Sequence, residues 1–446
     1  MQPMKQFLVG AVLLASASLC AAQVFPPVNQ DSKDETGRTV WSTKAQIAAI
    51  NNTAEALAGK VDPPKVIKRW DASNVDEIKE FLMPTLYNRV KNRGMILNEI
   101  EYKPYTPWKP WVDATKKYAS QVKIGPDEEL RGYQAGVPFP ISKRIYGDIA
   151  HFDINDPQQG LKLIHNQDQR WQGDNFQTDG TFSLVDSRGG VRKLANLYSR
   201  LRLQGRVATP PVPVVGPDQN PLGLRFMEVA LVTFPYDLQG FFSLQYSYMD
   251  RSHQDDFYLY VPSVRRVRRA SAAQRYDTFA GSDITYEDFM GFNGFPSEHT
   301  YKVIAQKPMY LARHQMYWEP KDNDRRTFKE ILVEKTPDVV IYEQYPKNSA
   351  HPYSKRVFYY DPEADQNMHW ECYDRKGQLW KSYMWMYNLG GFNDNGFPYL
   401  NIAEVGDYLG DHATMYDVRD EGFVKEYGPD AFQLETLQAL GARGRR

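Results

Sequence analysis

Between Tyr258 and Phe289 the chain sets five arginines, Arg265, Arg266, Arg268, Arg269 and Arg275, against the carboxylates Asp277, Asp283, Glu287 and Asp288, with His299 a short way downstream. Three kinds of chemistry fit that composition. A run of guanidinium groups can track a polyanion. Two carboxylates and an imidazole, here Asp283, Glu287 and His299, can share general acid and base work in a hydrolase, as paired carboxylates do in glycoside hydrolysis. Opposite charges can also simply neutralise one another while a fold is assembled.

Composition weighs against the first. The chain carries 54 basic and 55 acidic residues, a formal net charge of −1, where nucleic-acid binders usually show a clear basic excess. The N-terminus weighs against it too. Lys5 followed by the short apolar run Phe7–Leu19 and a small-residue ending before Gln23 reads as a cleaved secretory signal over residues 1–22. That run is too short for a comfortable membrane span. Bulky Leu19 disfavours lipid attachment at Cys20. The expected product is an exported, periplasmic, monomeric protein with no nucleic-acid partner.

Other chemistry leaves little trace. The eight histidines show no H-x-x-x-H pair, and Cys372 stands alone once residues 1–22 are removed, so neither a zinc site nor an internal disulfide is expected. Asp322–Glu334 opens like a calcium loop but lacks its turn glycine. G-x-S-x-G, G-x-G-x-x-G and G-x-x-x-x-G-K-[ST] are absent. No cofactor, no metal and no catalytic residue is therefore assigned, and charge pairing is the simplest role for the arginine–carboxylate run.

The elements that must hold these residues read as strands. Aromatic residues make up 13% of the chain, which suits pleated sheets or an apolar binding wall. Phe241–Tyr248 alternates: Phe242, Leu244, Tyr246 and Tyr248 on one side, Ser243, Gln245 and Ser247 on the other. The loop Asp250–Asp256, the return Phe257–Val261, the turn at Pro262-Ser263 and Val264–Arg269 then form a hairpin series. The spacing of Val264 and Val267 predicts a bulge or a strong twist. Strand segments are predicted at Gly160–Asp174, at Gly180–Leu194 folded about Arg188-Gly189-Gly190, and at Met227–Phe234. Arg356–Asp374 and Gly377–Tyr387 continue the antiparallel pattern, with Met384 and Trp385 in the last strand. N-terminal to these lie helical and irregular stretches: an Ala-rich helix within 44–60, a helix from Ser73 split at Pro84, and a short one over Val112–Val122. A helix from Pro429, carrying Phe432, Leu434, Leu437 and Leu440, closes the chain. The implied division is a signal at 1–22, a helical and irregular region at 23–125 packed on the main domain, a β-rich domain at 126–425, and a docking helix with basic tail at 426–446.

The segment Asp255–Phe289, with Gly132–Pro140 ("GYQAGVPFP") and the closing "FQLETLQALGARGR", resembles the bacterial domain of unknown function 1329 family. The resemblance marks Pro262, Arg265, Arg266, Arg268, Arg269, Arg275, Phe279, Gly281, Ser282, Asp283, Tyr286, Glu287 and Asp288 as a signature of structural character. It implies a mainly β (α+β) fold related to the lipoprotein carriers LolA and LolB, a curved, incompletely closed antiparallel half-barrel with helices across its concave face. It also implies a non-enzymatic periplasmic carrier or chaperone for a lipid, acyl chain or other hydrophobic compound. Its partners would be a transporter of the resistance–nodulation–division type and an outer-membrane component. An adaptor in an envelope transport assembly is a third reading beside carrier and hydrolase. Phe242, Leu244, Tyr246, Tyr248, Met384 and Trp385 are the expected ligand-lining residues.

Overall fold

The computed structural model describes residues 52–53, 64–315, 327–390, 396–422 and 428–443. The expected signal peptide, Cys20, most of the Ala-rich stretch and the start of the calcium-like loop lie outside them. Strands alternate with short helices in the first part: β1 (Asn52–Thr53), β2 (Val66–Trp70), α1 (Pro84–Arg93), β3 (Ile96–Ile100), α2 (Lys109–Tyr118), β4 (Lys123–Ile124), β5 (Leu130–Arg131), α3 (Lys143–Tyr146) and α4 (Gln159–Gln169). Two meanders follow. The first holds β6 (Asn175–Val185), β7 (Val191–Arg202), β8 (Leu224–Phe234), β9 (Phe242–Tyr248), β10 (Asp256–Val261) and β11 (Arg266–Arg269). The second holds β12 (His299–Leu311), β13 (Glu330–Pro346), β14 (Tyr353–Asp361), β15 (Gln366–Asp374), β16 (Leu379–Leu389), β17 (Pro398–Asp407) and β18 (His412–Gly422), and α5 (Leu434–Arg443) ends the chain.

Both meanders belong to one 16-stranded sheet, because the last strand, β18, pairs antiparallel with the first, β6. The order runs β11-β10-β9-β8-β7-β6-β18-β17-β16-β15-β14-β13-β3-β2, with β12 also on β13 and β1 on β18. The path does not close on itself. Among the described residues its free edges are β11 at one end and β2 and β12 at the other, and β3 on β13 is a parallel pair in an otherwise antiparallel array.

Both faces are covered, which explains why β17 is buried at every position. On one face, called inner here, lie α4 and the whole connection between β11 and β12, residues 270–298. On the outer face α1 covers β15–β17: Arg89 pairs with Glu404 at 2.5 Å and donates to Ser382 Oγ at 2.8 Å, and Glu371 accepts from the Thr85 amide. Also on the outer face, α5 and the turn before it cover β7–β10. There Phe432 and Leu437 pack with Leu197, Leu201, Val229, Leu231, Phe242, Leu244 and Tyr260 in a second core.

Several expectations hold. Pro84 does split its helix: a 3-10 turn spans Val75–Phe81, and Pro84 opens α1 where its missing amide hydrogen costs nothing. The alternation of β9 and the hairpins about Arg188–Gly190 and Pro262 stand as read.

Others do not. Gly160–Gln169 is helix, not strand. Leu161, Leu163 and His165 alternate as a strand's residues would, and polar as well as apolar residues of the helix are buried. Asn166 and Gln167 serve as internal hydrogen-bonding groups, and a Cβ on Gly160 would meet Tyr301 Cβ at 2.5 Å. The N-terminal region is not only helical, because β2 and β3 extend the main sheet and Asn52–Thr53 pairs with β18. β11 has no bulge: its register on β10 is unbroken, and Arg265 absorbs the irregularity at φ +50 in the turn.

Phe432→Ala tests the docking of the C-terminal element. Loss of this fully buried ring should cost about 3–5 kcal/mol, read as a lower urea midpoint. An unchanged midpoint would mean that α5 does not cover β7–β9 in solution.

Candidate functional site

The 270–298 segment is built from tight turns, not from regular structure. Ser271 and Gln274 cap its first 3-10 turn reciprocally. Thr278 bridges to Thr285, and Phe279 N donates to the Ile284 carbonyl, closing the loop around Gly281-Ser282-Asp283. Ala280 and Met290 hold positive φ of 48° and 56°, each followed by a positive-φ glycine. Such backbone costs about 1–3 kcal/mol at a non-glycine residue and persists only where its surroundings enforce it.

Those surroundings are charged on one side. Arg356 on β14 donates from Nε to Asp288 Oδ1 at 2.8 Å, from the other guanidinium nitrogens to Glu287 and to Gln344 Oε1 at 2.8 Å, and is fully buried. Asp288 also accepts from Thr285 Oγ1 at 2.6 Å, Tyr353 at 2.8 Å and Tyr383 at 3.1 Å. Glu287 Oε2 takes a hydrogen bond from His351 Nε2 at 2.8 Å, and Oε1 lies 3.3 Å from Arg275 Nε. Asp283 sits apart from this group. Its carboxylate meets Thr414 Oγ1 at 2.8 Å and His412 Nδ1 at 2.7 Å, while Lys381 Nζ donates to its backbone carbonyl at 2.8 Å.

The opposite wall is mostly apolar. Phe289 packs edge-on against Tyr198 with ring centres 4.8 Å apart, Tyr286 against Phe257 at 4.6 Å, and Phe279 against Phe241 at 6.0 Å. Asn293 supplies a polar tie, donating to Glu228 Oε1 at 2.8 Å and Gln245 Oε1 at 3.1 Å. A cavity of about 30 Å³ remains in this seam, between Asn196, Tyr198, Ala230 and Ser243 of the sheet and Phe279, Ile284, Tyr286 and Phe289 of the segment. That is room for a water-sized molecule and no more.

The expected lining residues lie elsewhere. Phe242, Leu244, Tyr246 and Tyr248 point to the outer face under α5, where Tyr246 donates to the Phe432 carbonyl at 2.7 Å. It is the polar side of β9, Ser243 and Gln245, that faces the seam. Met384 and Trp385 are fully buried in the main core; Trp385 touches Phe289 edge-on at 5.6 Å and so backs the segment from below.

The signature residues divide similarly. Pro262 is buried in the hairpin turn, and Arg265, Arg266, Arg268 and Arg269 are exposed at the free edge, with Arg269 paired to Asp256. Arg275 turns inward to Glu287 and Glu298, the one member of the run to meet a downstream acid of the signature. Phe279, Gly281, Ser282, Asp283, Tyr286, Glu287 and Asp288 all belong to the inner segment. Their main partners, Arg356, His351, Tyr353, Lys381, Tyr383 and Thr414, come from β14, β16, β18 and the turn before β14. No local spacing could have named them.

Chemically the cluster is held, not poised. Burial opposes the charge of Glu287, but Arg356 and the neighbouring imidazoles outweigh it and keep its carboxyl well below the ordinary range. Burial drives His299 down to about 3, so its ring is neutral. Asp283 is pushed up by burial, against the pull of Thr414 and His412. The proposed triad of Asp283, Glu287 and His299 is therefore not assembled: Glu287 and His299 meet, and Asp283 belongs to another group.

Glu287, His299 and His351 do converge closely enough to suggest a metal site. The hydrogen bonds argue otherwise. Tyr353 N donates to His351 Nδ1 at 3.0 Å, so a neutral His351 carries its proton on Nε2, facing Glu287, and has no lone pair there to give. Two guanidinium groups on Glu287 add repulsion toward any cation.

A polar cleft of about 400 Å³ opens at the other end of this wall. It is lined by the Asp168–Arg225 pair (2.5 Å), Arg251, Glu129, His165 and Tyr133 of the "GYQAGVPFP" element. Gly132 there has φ +72, and a Cβ would meet Gln121 O at 2.5 Å, so the ledge requires glycine.

Residues 70–426 match the family described as protein of unknown function DUF1329, and the chain belongs to that family. It is 24% identical to the uncharacterized protein PA3922 of Pseudomonas aeruginosa, over 94% of this chain and 97% of that one. Solved structures similar to it include an outer-membrane lipoprotein-sorting protein domain from Vibrio parahaemolyticus (17% identity, 64% of this chain and 100% of that one, TM-score 0.46). A DUF1329 family protein from Desulfovibrio piger is similar at 18% identity, over 62% and 95% of the two chains, with a TM-score of 0.44. The LolA superfamily protein NE2245 from Nitrosomonas europaea is similar at 13% identity, over 62% and 98%, with a TM-score of 0.39.

Arg356→Met should cost about 3–5 kcal/mol in urea unfolding, since it strands two buried carboxylates. The acid limb gives a second readout. The folded pKa of Glu287 lies below its unfolded value of about 4.3, so its stabilisation is complete above that pH and drains as pH falls through the folded value. Glu287→Gln should therefore lose stability less steeply below about pH 4 than the parent. Equal slopes would show that Glu287 is not clamped.

Proposed function

We propose that this member of the DUF1329 family is a non-enzymatic carrier of an apolar molecule, and that the ligand enters the seam between the 270–298 segment and β7–β10. The observation that carries the reading is the unequal fastening of the segment. Ion pairs and the hydroxyls of tyrosine and Thr414 fix it to β14, β16 and β18. Toward β7–β10 it meets ring edges and a residual cavity, with hydrogen bonds from Asn293, Arg192 (to the Ala280 carbonyl) and Arg251 (to the Gly294 carbonyl), but among the described residues no ion pair. Aromatic contacts exchange for an acyl or ring-shaped ligand at little cost, because both are apolar surfaces removed from water. Ion pairs in a buried site do not exchange so.

At about 30 Å³ the cavity is too small for such a ligand. Loading thus requires Phe279, Tyr286 and Phe289 to move off the wall while Asp283, Glu287 and Asp288 stay anchored. Positive-φ backbone at Ala280-Gly281, next to Phe279, and at Met290-Gly291, next to Phe289, adjoins the rings that must move, and strain there favours a second arrangement. The signal sequence expected at 1–22 would place such a carrier in the periplasm. There a transporter of the resistance–nodulation–division type and an outer-membrane partner would deliver or receive the cargo. The separation of Asp283 from Glu287 and His299 supports carrier over hydrolase.

Native mass spectrometry of protein purified from the periplasm should show a lipid-sized adduct. Delipidated protein should take up N-phenyl-1-naphthylamine. Ala230→Trp, which fills the seam from the sheet side, should lower that uptake at least about ten-fold without unfolding the chain. No adduct and no dye uptake by the parent protein would overturn the proposal.

A further inference from the structure

A second feature of the signature, its exposed arginines, plays no part in the seam. Strand pairing gathers three hairpin tips at one end of the sheet. Val185 pairs with Val191 beside the 186–190 turn, Ala195 with Phe234 at the mouth of the 235–241 turn, and Val261 with Arg266 across the 262–265 turn. The tips carry unusual exposed apolar surface: Tyr236 is 68% exposed, Val264 59%, Val191 55% and Phe234 54%. Around them stand Arg188, Arg192, Lys193, Arg265, Arg266 and Arg268, all exposed. Among the described residues none of these six cations is in an ion pair; Asp186, whose carboxylate the Arg188 and Gly190 amides engage, also feels the Arg188 charge, and Asp237 is the one acid of the second tip.

We infer that these three tips form a docking rim for an anionic lipid bilayer, with Phe234, Tyr236, Val191 and Val264 entering the interface and the arginines and lysine meeting lipid phosphates. Charge complementarity selects the occupant. Unpaired cations ringing aromatic and aliphatic tips are the pattern of an interfacial anchor: apolar groups enter the headgroup layer, and guanidinium groups stay at its surface. Protection of a free sheet edge explains only part of this arrangement. Edge strands are commonly blunted by charge, which would account for Arg266 and Arg268 on β11. Arg188, Arg192, Lys193, Phe234 and Tyr236 lie on interior hairpins with no edge to protect. The rim also touches the cargo seam, since Arg192 donates to the Ala280 carbonyl at 3.3 Å.

Flotation with vesicles of phosphatidylcholine, with and without phosphatidylglycerol, tests the rim without any cargo, so its failure would leave the seam reading untouched. The full chain should float with anionic vesicles and be released by salt. The triple change Arg265→Ser, Arg266→Ser, Arg268→Ser should weaken binding on the order of 100-fold. Arg→Lys at the same positions should restore it, and Phe234→Ser with Tyr236→Ser should weaken binding even at low salt. Because all these side chains are exposed, unchanged thermal melting is expected. No flotation by the parent protein, or flotation indifferent to both sets of changes, would overturn the inference. So would crosslinking of the same tips to an envelope protein without any affinity for vesicles, which would assign the rim to a protein partner.

Discussion

The organisation of this molecule depends on one buried guanidinium. Arg356 holds Glu287 and Asp288 together under the sheet, and among the described residues it is the one side chain bonded to both carboxylates. Removing three charges from water is expensive, and their mutual attraction roughly offsets that expense when every lone pair is engaged. Tyr353, Tyr383, Thr285 and His351 add hydrogen bonds to the pair, and Glu287 Oε1, which accepts none, lies 3.3 Å from Arg275 Nε. What the cluster supplies is therefore a fixed place for the 270–298 segment more than net stability. Once that place is fixed, the aromatic residues on either side of the carboxylates must meet β7–β10, and the seam follows.

A fixed segment needs a sheet rigid enough to hold it. Two meanders sharing the β6–β18 pair give such a platform, and helices on its outer face press it from behind. Outer-face polar contacts repeat the same device: Arg89 with Glu404 ties α1 down much as Arg356 ties the segment. Between the two layers the strands have no solvent side over much of their length. Their sequences accordingly mix large apolar residues with buried charged ones in place of a clean polar stripe.

That double cover explains which parts of the sequence could be read. Alternation in β9 correctly separated Phe242, Leu244, Tyr246 and Tyr248 from Ser243, Gln245 and Ser247. Period two says that two sets face opposite ways; it does not say which way is the cavity. Here the aromatic set found α5, and the polar set found the seam. Gly160–Gln169 went unread as a helix for a related reason: its buried set mixes His165, Asn166 and Gln167 with Leu161, Leu163 and Ile164, so burial along it does not follow hydrophobicity. The arginine run divided in a way that spacing could not foresee, with Arg275 inward and Arg265, Arg266 and Arg268 at the rim.

By itself the sequence determined the element types wherever local chemistry is decisive. These include the split at Pro84, the hairpins at Arg188–Gly190 and Pro262, and the alternation of the strands. Each rests on neighbours within a few residues, through fixed proline φ, glycine freedom and the two-residue pleat. Tertiary structure alone decided the partners of the acids. Arg356 lies 69 residues from Glu287 and Thr414 lies 131 residues from Asp283, and only the order of strands in the sheet brings them together. A buried charge must be neutralised by whatever the fold delivers to it, and that delivery is a property of the whole sheet.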